Sequence, residues 1–349
     1  MSRTYMLSMH QGKKMQGNRL KTVLLLPSLF IFAVLLMFLA SCTAGGLYKS
    51  SSKDTKEVNY HSGNEGLRLK FLNGNPPRRL YAGDSLSVVV EYSNKGAYPI
   101  QGGLLYLSGY DPEYIKLGGF EGQRQLPITA DPKGPFNPDG DLAYTAEATD
   151  EAVSIPVNVD IFKQRIKATA CYEYKTEASP MICVDPDPMG IRPEDKVCIV
   201  KDVSMSSQGA PVAVTSIQQE SSPKRIQFKI NFANVGRGTV IAPNNEGIAT
   251  VTKCPNSLER DDVNKVYVAA FLSGKNLKCQ PEIARLVNNK GFAWCYYEGE
   301  LLRNKPNAYQ TVLEVELSYG YMDSIATDVD ILRMPGDYEM NRPGQIEGY

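Results

Sequence analysis

Seven cysteines and three acidic clusters are the residues of this 349-residue chain whose types and spacing could support chemistry. Cys42 stands alone behind an apolar run. The other six, Cys171, Cys183, Cys198, Cys254, Cys279 and Cys295, lack the C-x₂₋₄-C spacing of a thiolate metal site. An even set in an exported body reads as disulfides, for which six thiols allow fifteen connectivities. If Lys175–Ser179 turns a hairpin, Cys171 faces Cys183 across it, on the side away from the core. Cys183–Cys198 is the competing pair. A second hairpin, turning at Asn288–Gly291, would bring Cys279 to Cys295. With three cysteines in each half, either one bridge joins the halves or each half keeps a free thiol.

The acidic clusters are Asp185, Asp187 and Asp195; Asp131 with Asn137, Asp139 and Asp141; and Glu259, Asp261 and Asp262. Asn137-Pro138-Asp139-Gly140-Asp141 has the hard oxygen donors and the glycine turn of a calcium loop, without the regular EF-hand spacing. Solvated Asp- and Pro-rich turns account for the same residues. A carboxylate pair could also cleave a glycosidic bond. Histidine narrows the chemistry further, because His10 and His61 are the only two. His61 has no visible partner in its polar stretch. Triads of the Ser-His-Asp or Cys-His kind need an imidazole in the folded body. No Gly-rich phosphate loop or nucleophile elbow appears. The expectation is a non-enzymatic protein with no catalytic, cofactor or metal site.

Charge and hydropathy say where such a body sits. Basic and acidic side chains balance at 38 each, but residues 1–42 hold five basic ones and no acidic one. The remainder therefore carries 33 basic against 38 acidic residues, a net of −5, which gives no basis for nucleic-acid binding. Val23–Ala40 is an 18-residue run interrupted only by Pro27 and Ser28, long enough to span a bilayer as a helix. With the basic residues on its N-terminal side, residues 1–21 form a cytoplasmic leader and the rest is exported. Residues 22–42 are then a signal peptide or a transmembrane anchor, and 43–65 a flexible polar tether. Leu39-Ala40-Ser41-Cys42 resembles the lipobox of secreted lipoproteins, a resemblance that implies cleavage before Cys42 and a lipid on its thiol. The alternative is an uncleaved anchor. Either way the chain is held to a membrane with its bulk outside.

Beyond the tether the apolar residues alternate, as in half-buried strands. Two strands share a signature: Ser85–Ser93 ends in Asn94-Lys95-Gly96, and Arg225–Ala233 ends in Asn234-Val235-Gly236. A second pair reinforces the first. Ile166, Ala168, Ala170, Tyr172 and Tyr174 map by an offset of 147 onto Leu313, Val315, Leu317, Tyr319 and Tyr321. Two related copies follow, each opening with a strand, at Leu67–Leu72 and Pro211–Ile217. The expected fold is all-β: two tandem immunoglobulin-like β-sandwich domains, 66–200 and 201–335, after the N-terminal apolar signal or anchor helix, with a polar tail at 336–349.

Val88-Val89-Val90-Glu91-Tyr92-Ser93-Asn94-Lys95-Gly96 resembles a strand of the CARDB-like and other immunoglobulin-like repeats of prokaryotic surface proteins. The stretches at 171–188 and 209–217 are similar to uncharacterised archaeal membrane-tethered proteins, a family that brings no activity with it. The resemblance implies a structural, adhesive or ligand-binding role toward a surface protein or polymer. Two alternatives stand beside it: an accessory subunit of a membrane secretion or filament machine, and a carboxylate-dependent hydrolase of surface polymers. Candidate contact regions are the insert from Gly118 to Ala152 and the mixed-charge stretch from Pro255 to Lys265. Tyr98, Tyr106, Tyr110, Tyr114, Tyr296 and Tyr297 fall in loops or at strand ends and suit either recognition or half-buried packing.

Overall fold

A computed structural model describes residues 59–118, 125–187, 189, 196–222, 225–249, 251–298 and 307–335. The basic leader, the apolar segment with Cys42, most of the tether and the tail from 336 lie outside them. The described residues belong to one compact unit. They are all-β, apart from single 3-10 turns at Val251–Lys253 and Arg260–Asp262. No helix among them is long and apolar enough to cross a membrane.

In chain order the first copy contributes β1 (Leu67–Phe71), β2 (Arg79–Tyr81), β3 (Leu86–Asn94), β4 (Ile100–Ser108), β5 (Gln125–Ala130), β6 (Ala143–Asp150), β7 (Ile161–Ala178) and β8 (Met181–Val184). The second contributes β9 (Val203–Ser204), β10 (Val212–Ser221), β11 (Ile226–Asn234), β12 (Thr239–Ile241), β13 (Lys265–Leu272), β14 (Lys275–Asn276), β15 (Lys278–Gln280), β16 (Ile283–Arg285), β17 (Lys290–Tyr297) and β18 (Tyr309–Leu332). Alternation decides these strands. In β11, Ile226, Phe228, Ile230, Phe232 and Asn234 are buried while the residues between them are partly exposed. Sheet β1-β3-β6 belongs to the first copy and sheet β15-β17-β11-β10-β9 to the second. A ten-stranded sheet contains β14-β13-β18-β7-β4-β5, with β2, β8, β12 and β16 attached. All pairings are antiparallel except β2 with β18.

The ladder between β7 and β18 joins the copies. It runs from Val315 opposite Ala178 to Leu332 opposite Ile161. Glu173 lies opposite Gly320, which is its own counterpart at the offset of 147, so the copies meet around a pseudo-two-fold axis at that pair. Tyr172 therefore faces Tyr321, and Tyr174 faces Tyr319, with ring centroids 6.0 and 6.2 Å apart.

Each buried hydroxyl repeats its counterpart's work. Leu67 N donates to Tyr172 Oη at 3.0 Å, and Val212 N donates to Tyr319 Oη at 3.2 Å. Tyr98 N donates to Tyr174 Oη at 3.2 Å, and Gly238 N donates to Tyr321 Oη at 2.7 Å. The two asparagines bind the same turns: Asn94 Nδ2 donates to Tyr98 O and Asn234 Nδ2 to Gly238 O. A side chain on Gly96 would collide with Tyr174 Oη, and one on Gly236 with Tyr321 Oη. The Asn-x-Gly and Tyr-x-Tyr signatures are thus two halves of one device, a tight turn with a phenol seated against its glycine.

The hairpin expected at Lys175–Ser179 does not form. β7 continues through Ala178, and β8 pairs with β18 rather than folding back. Cys171 consequently does not face Cys183, and its side of the sheet is not open. It lies in a second apolar cluster with Tyr106, Ile241, Ala249, Val251 and Cys254, because second-copy residues cover that face. The structure pairs Cys171 with Cys254 between the copies, Cys183 with Cys198, and Cys279 with Cys295, which are opposed on β15 and β17. The expected turn before β17 is present, with Asn288 and Asn289 at φ 50° and 62°. It carries the chain from β16, paired with β13, to β17 in another sheet.

Tyr172→Phe or Tyr319→Phe leaves a buried backbone N–H of Leu67 or Val212 without its partner. Each is expected to cost about 1–3 kcal/mol, read as a lower urea midpoint at unchanged slope. Burial pushes all four phenols upward, Tyr321 to about 12. Raised folded values give stability that is complete below the unfolded value near 10 and is lost as pH climbs through the folded ones. Unfolding free energy should therefore fall from about pH 10 to pH 12, by at most ~1.4 kcal/mol per pH unit for each tyrosine, as denaturant titrations across that range would measure.

Candidate functional site

Charged side chains and open backbone meet beside β1. Gly66 O accepts from Lys95 N and Leu72 N donates to Val89 O, so the even residues of β1 bond β3. Antiparallel geometry then aims the main-chain groups of Leu67, Leu69 and Phe71 at the opposite edge. Tyr172 takes the N–H of Leu67. The remaining edge opens onto a cleft of about 370 Å³ between β1, the Gly236–Thr239 turn and the Tyr321–Ile325 stretch of β18.

Two carboxyls and two guanidinium groups line this cleft. Glu65 receives Arg68 at 2.5 Å and lies 3.8 Å from Arg237. Both arginines are largely solvated, so these pairs orient more than they stabilise. Asp323 is a partly desolvated carboxyl. Burial raises its pKa, the Ser324 N–H and Arg237 oppose the rise, and Glu65 adds to it. Two carboxyls in one cleft, one of them partly dehydrated, supply the residue types of a carboxylate-pair reaction, and they are equally a polar lining for a peptide.

The acidic clusters read from the sequence are largely committed to local partners. Asp141 pairs with Lys95, whose Nζ also donates to Asp139 O. Asn137 closes its own loop through Pro132 O and Leu142 N, and Asp131 accepts from the Tyr144 hydroxyl at 3.0 Å. Asp185 binds Lys196 at 2.6 Å, and Asp195 lies outside the described residues. Asp261 joins Arg285 and Lys265, and Asp262 joins Lys253. Lys265 and then Arg285 hold the Asp261 carboxyl below its usual range, and the Glu259 N–H, followed by Lys253, holds that of Asp262 below it. No group of three or more metal-ligating side chains occurs among the described residues.

Of the two roles open to the loop and strand-end tyrosines, packing is the one most of them serve. Tyr106 and Tyr110 are buried, and Tyr98 meets Tyr174 edge-on. Tyr114 meets Phe162, Tyr296 carries Arg225 over its ring at 4.1 Å, and Tyr297 packs on the core. The described part of the Gly118–Ala152 insert forms β5, β6 and their connecting turn, and exposes Phe136 fully. In the Pro255–Lys265 stretch, Arg260–Asp262 forms the second 3-10 turn. The backbone N of His61 donates to Asn59 Oδ1, and both residues line a separate cleft with Glu177, Ser179 and Met205.

Glu65, Arg68, Arg237 and Asp323 were not singled out by the sequence. They come from three separate stretches, and only the β7–β18 register brings the last two beside the first. The chain matches no family model and no curated protein.

A raised folded pKa at Asp323 means that its stabilising contribution is complete below the unfolded value near 3.9 and lost as pH rises. Its charge therefore opposes folding at neutral pH. Asp323→Asn keeps an acceptor for the Ser324 N–H and is expected to raise the melting temperature at pH 7, with the gain vanishing below about pH 4. Thermal melts of both proteins at the two pH values test this.

Proposed function

We propose that this chain is a membrane-tethered extracellular protein of two immunoglobulin-like β-sandwich copies, with a non-enzymatic structural, adhesive or ligand-binding role. The observation that carries the reading is the cysteine arrangement. All six body cysteines are paired, one pair spanning the copies, and such bridges persist in an oxidising compartment. The apolar run and lipobox-like Cys42 supply the tether. The committed carboxylates favour binding or load-bearing over catalysis, and the cleft beside β1 is the surface best furnished to hold a ligand.

One observation favours a second reading. Glu65 and Asp323 line one cleft, so a hydrolase of surface polymers keeps a candidate acid pair. Release of soluble sugars from a polymer by the purified protein, abolished in Asp323→Asn, would establish it over a binding role.

Intact mass spectrometry of protein from native membranes, with protease treatment of whole cells, tests the main proposal. The expected mass lacks six hydrogens for three bridges, and either lacks residues 1–41 with lipid on Cys42 or retains the leader. The body should be cleaved from outside. Reduced thiols in a body shielded from external protease would overturn the proposal.

A further inference from the structure

The outward positions of a half-buried strand are ordinarily polar, yet β17 turns Phe292, Trp294 and Tyr296 away from the core. Ala293 and Cys295 between them are fully buried, so alternation lines the three rings along the outer face, about 6.8 Å from one to the next. Register sets their surroundings. Asn231, Lys229 and Gln227 of β11 lie opposite Phe292, Trp294 and Tyr296. On the other side, Gln280 and Lys278 of β15 lie opposite Trp294 and Tyr296. A column of rings therefore runs between two columns of amides and lysines. Lys229 Nζ lies 4.8 Å from the Phe292 ring centroid and 5.8 Å from that of Trp294. At the Phe292 end a hollow of about 360 Å³ opens between Thr215, Asn231 and Lys290.

The fold does not demand aromatic side chains at these positions, as the first copy shows. β6 stands to β3 as β17 stands to β11: Val90 pairs with Ala146, and Ile230 with Ala293. The places of Phe292, Trp294 and Tyr296 are taken there by Thr145, Glu147 and Thr149, all exposed. One architecture is thus built with a polar outer strand in one copy and an aromatic one in the other. The rings of the second copy answer to something outside the fold.

The lysines indicate what that is. Lys229, Lys278 and Lys290 join no ion pair among the described residues, whereas Glu298 is engaged with Arg225 and Glu220 with Gln227. Lysine is depleted at protein–protein interfaces, so rings set among lysines do not suit a protein partner. They suit a sugar chain, whose C–H faces stack on aromatic rings while its hydroxyls meet amides and its carboxylates meet ammonium groups. We propose that the outer face of β15, β17 and β11 is a binding platform for an extended acidic glycan. The inference rests on the ligand-binding role proposed above, to which it adds a flat face distinct from the cleft beside β1 and a class of ligand.

Trp294 is the single tryptophan of the chain, so its emission reports on the platform directly. In a titration of the purified full chain with oligomers of alginate, a linear uronate polymer, a saturable change in that emission is expected, weakening as salt screens the lysines. Phe292→Thr with Tyr296→Thr installs the residue type that the first copy carries at both places and keeps the reporter. Affinity should fall by about tenfold or more. Lys229→Gln should also lower it and flatten the salt dependence. No saturable change, unaltered affinity in the double variant, equal binding of neutral cello-oligosaccharides, or tighter binding of an oligothymidylate would each overturn the proposal. A shielded body with reduced thiols would overturn the tethered extracellular reading instead and would leave this titration as it stands.

Discussion

The four phenol hydroxyls at the β7–β18 junction are the constraint from which the rest of the architecture follows. Backbone N–H groups at the start of each opening strand are buried and those in the two turns are partly so, and a buried unpaired donor is costly. Tyrosine supplies the acceptor while its ring fills the core, so one residue type meets the apolar and the polar demand together. Thr176 extends the set, donating to Val212 O at 2.6 Å and lying 2.9 Å from Tyr319 Oη. Because the phenols of each strand also pack on those of the other, neither copy's turn is settled without the partner strand. The pseudo-two-fold axis resembles that of an isologous dimer whose subunits share one chain.

Much of this was legible in the sequence. Alternation located β3, β7, β11 and β18, since a period of two is imposed wherever one sheet face is buried. The repeat was legible because the same hydrogen bonds demand the same residues: Asn and Gly at the turn, Tyr two apart on the closing strand. Cys279 and Cys295 were placed together by the turn before β17, and they oppose each other on β15 and β17.

What escaped was non-local. Nothing in Lys175–Ser179 distinguishes a hairpin from a strand that continues, and the decision is made by β18, more than a hundred residues later, which supplies ladder partners for both β7 and β8. Cys254 carries no local mark of its partner for the same reason. The cleft residues were hidden more thoroughly. Glu65 lies in what reads as a polar tether, Arg237 in a turn, and Asp323 in a strand whose alternation says only which way it points. Their meeting is a property of register, and register across a long-range ladder has no signature in any one segment.

The bridge between Cys171 and Cys254 closes a covalent ring over 83 positions, enclosing the passage from one copy to the next. A protease that nicks the crossing, for instance at the exposed Met189, cannot liberate a fragment, because both severed ends stay in the ring. A pull applied to the two ends of the chain likewise finds that stretch of contour, on the order of 280 Å when extended, locked out of reach until the sulfurs are reduced. A molecule so closed is hard to dismember in a hostile medium, while its copies remain in mutual register.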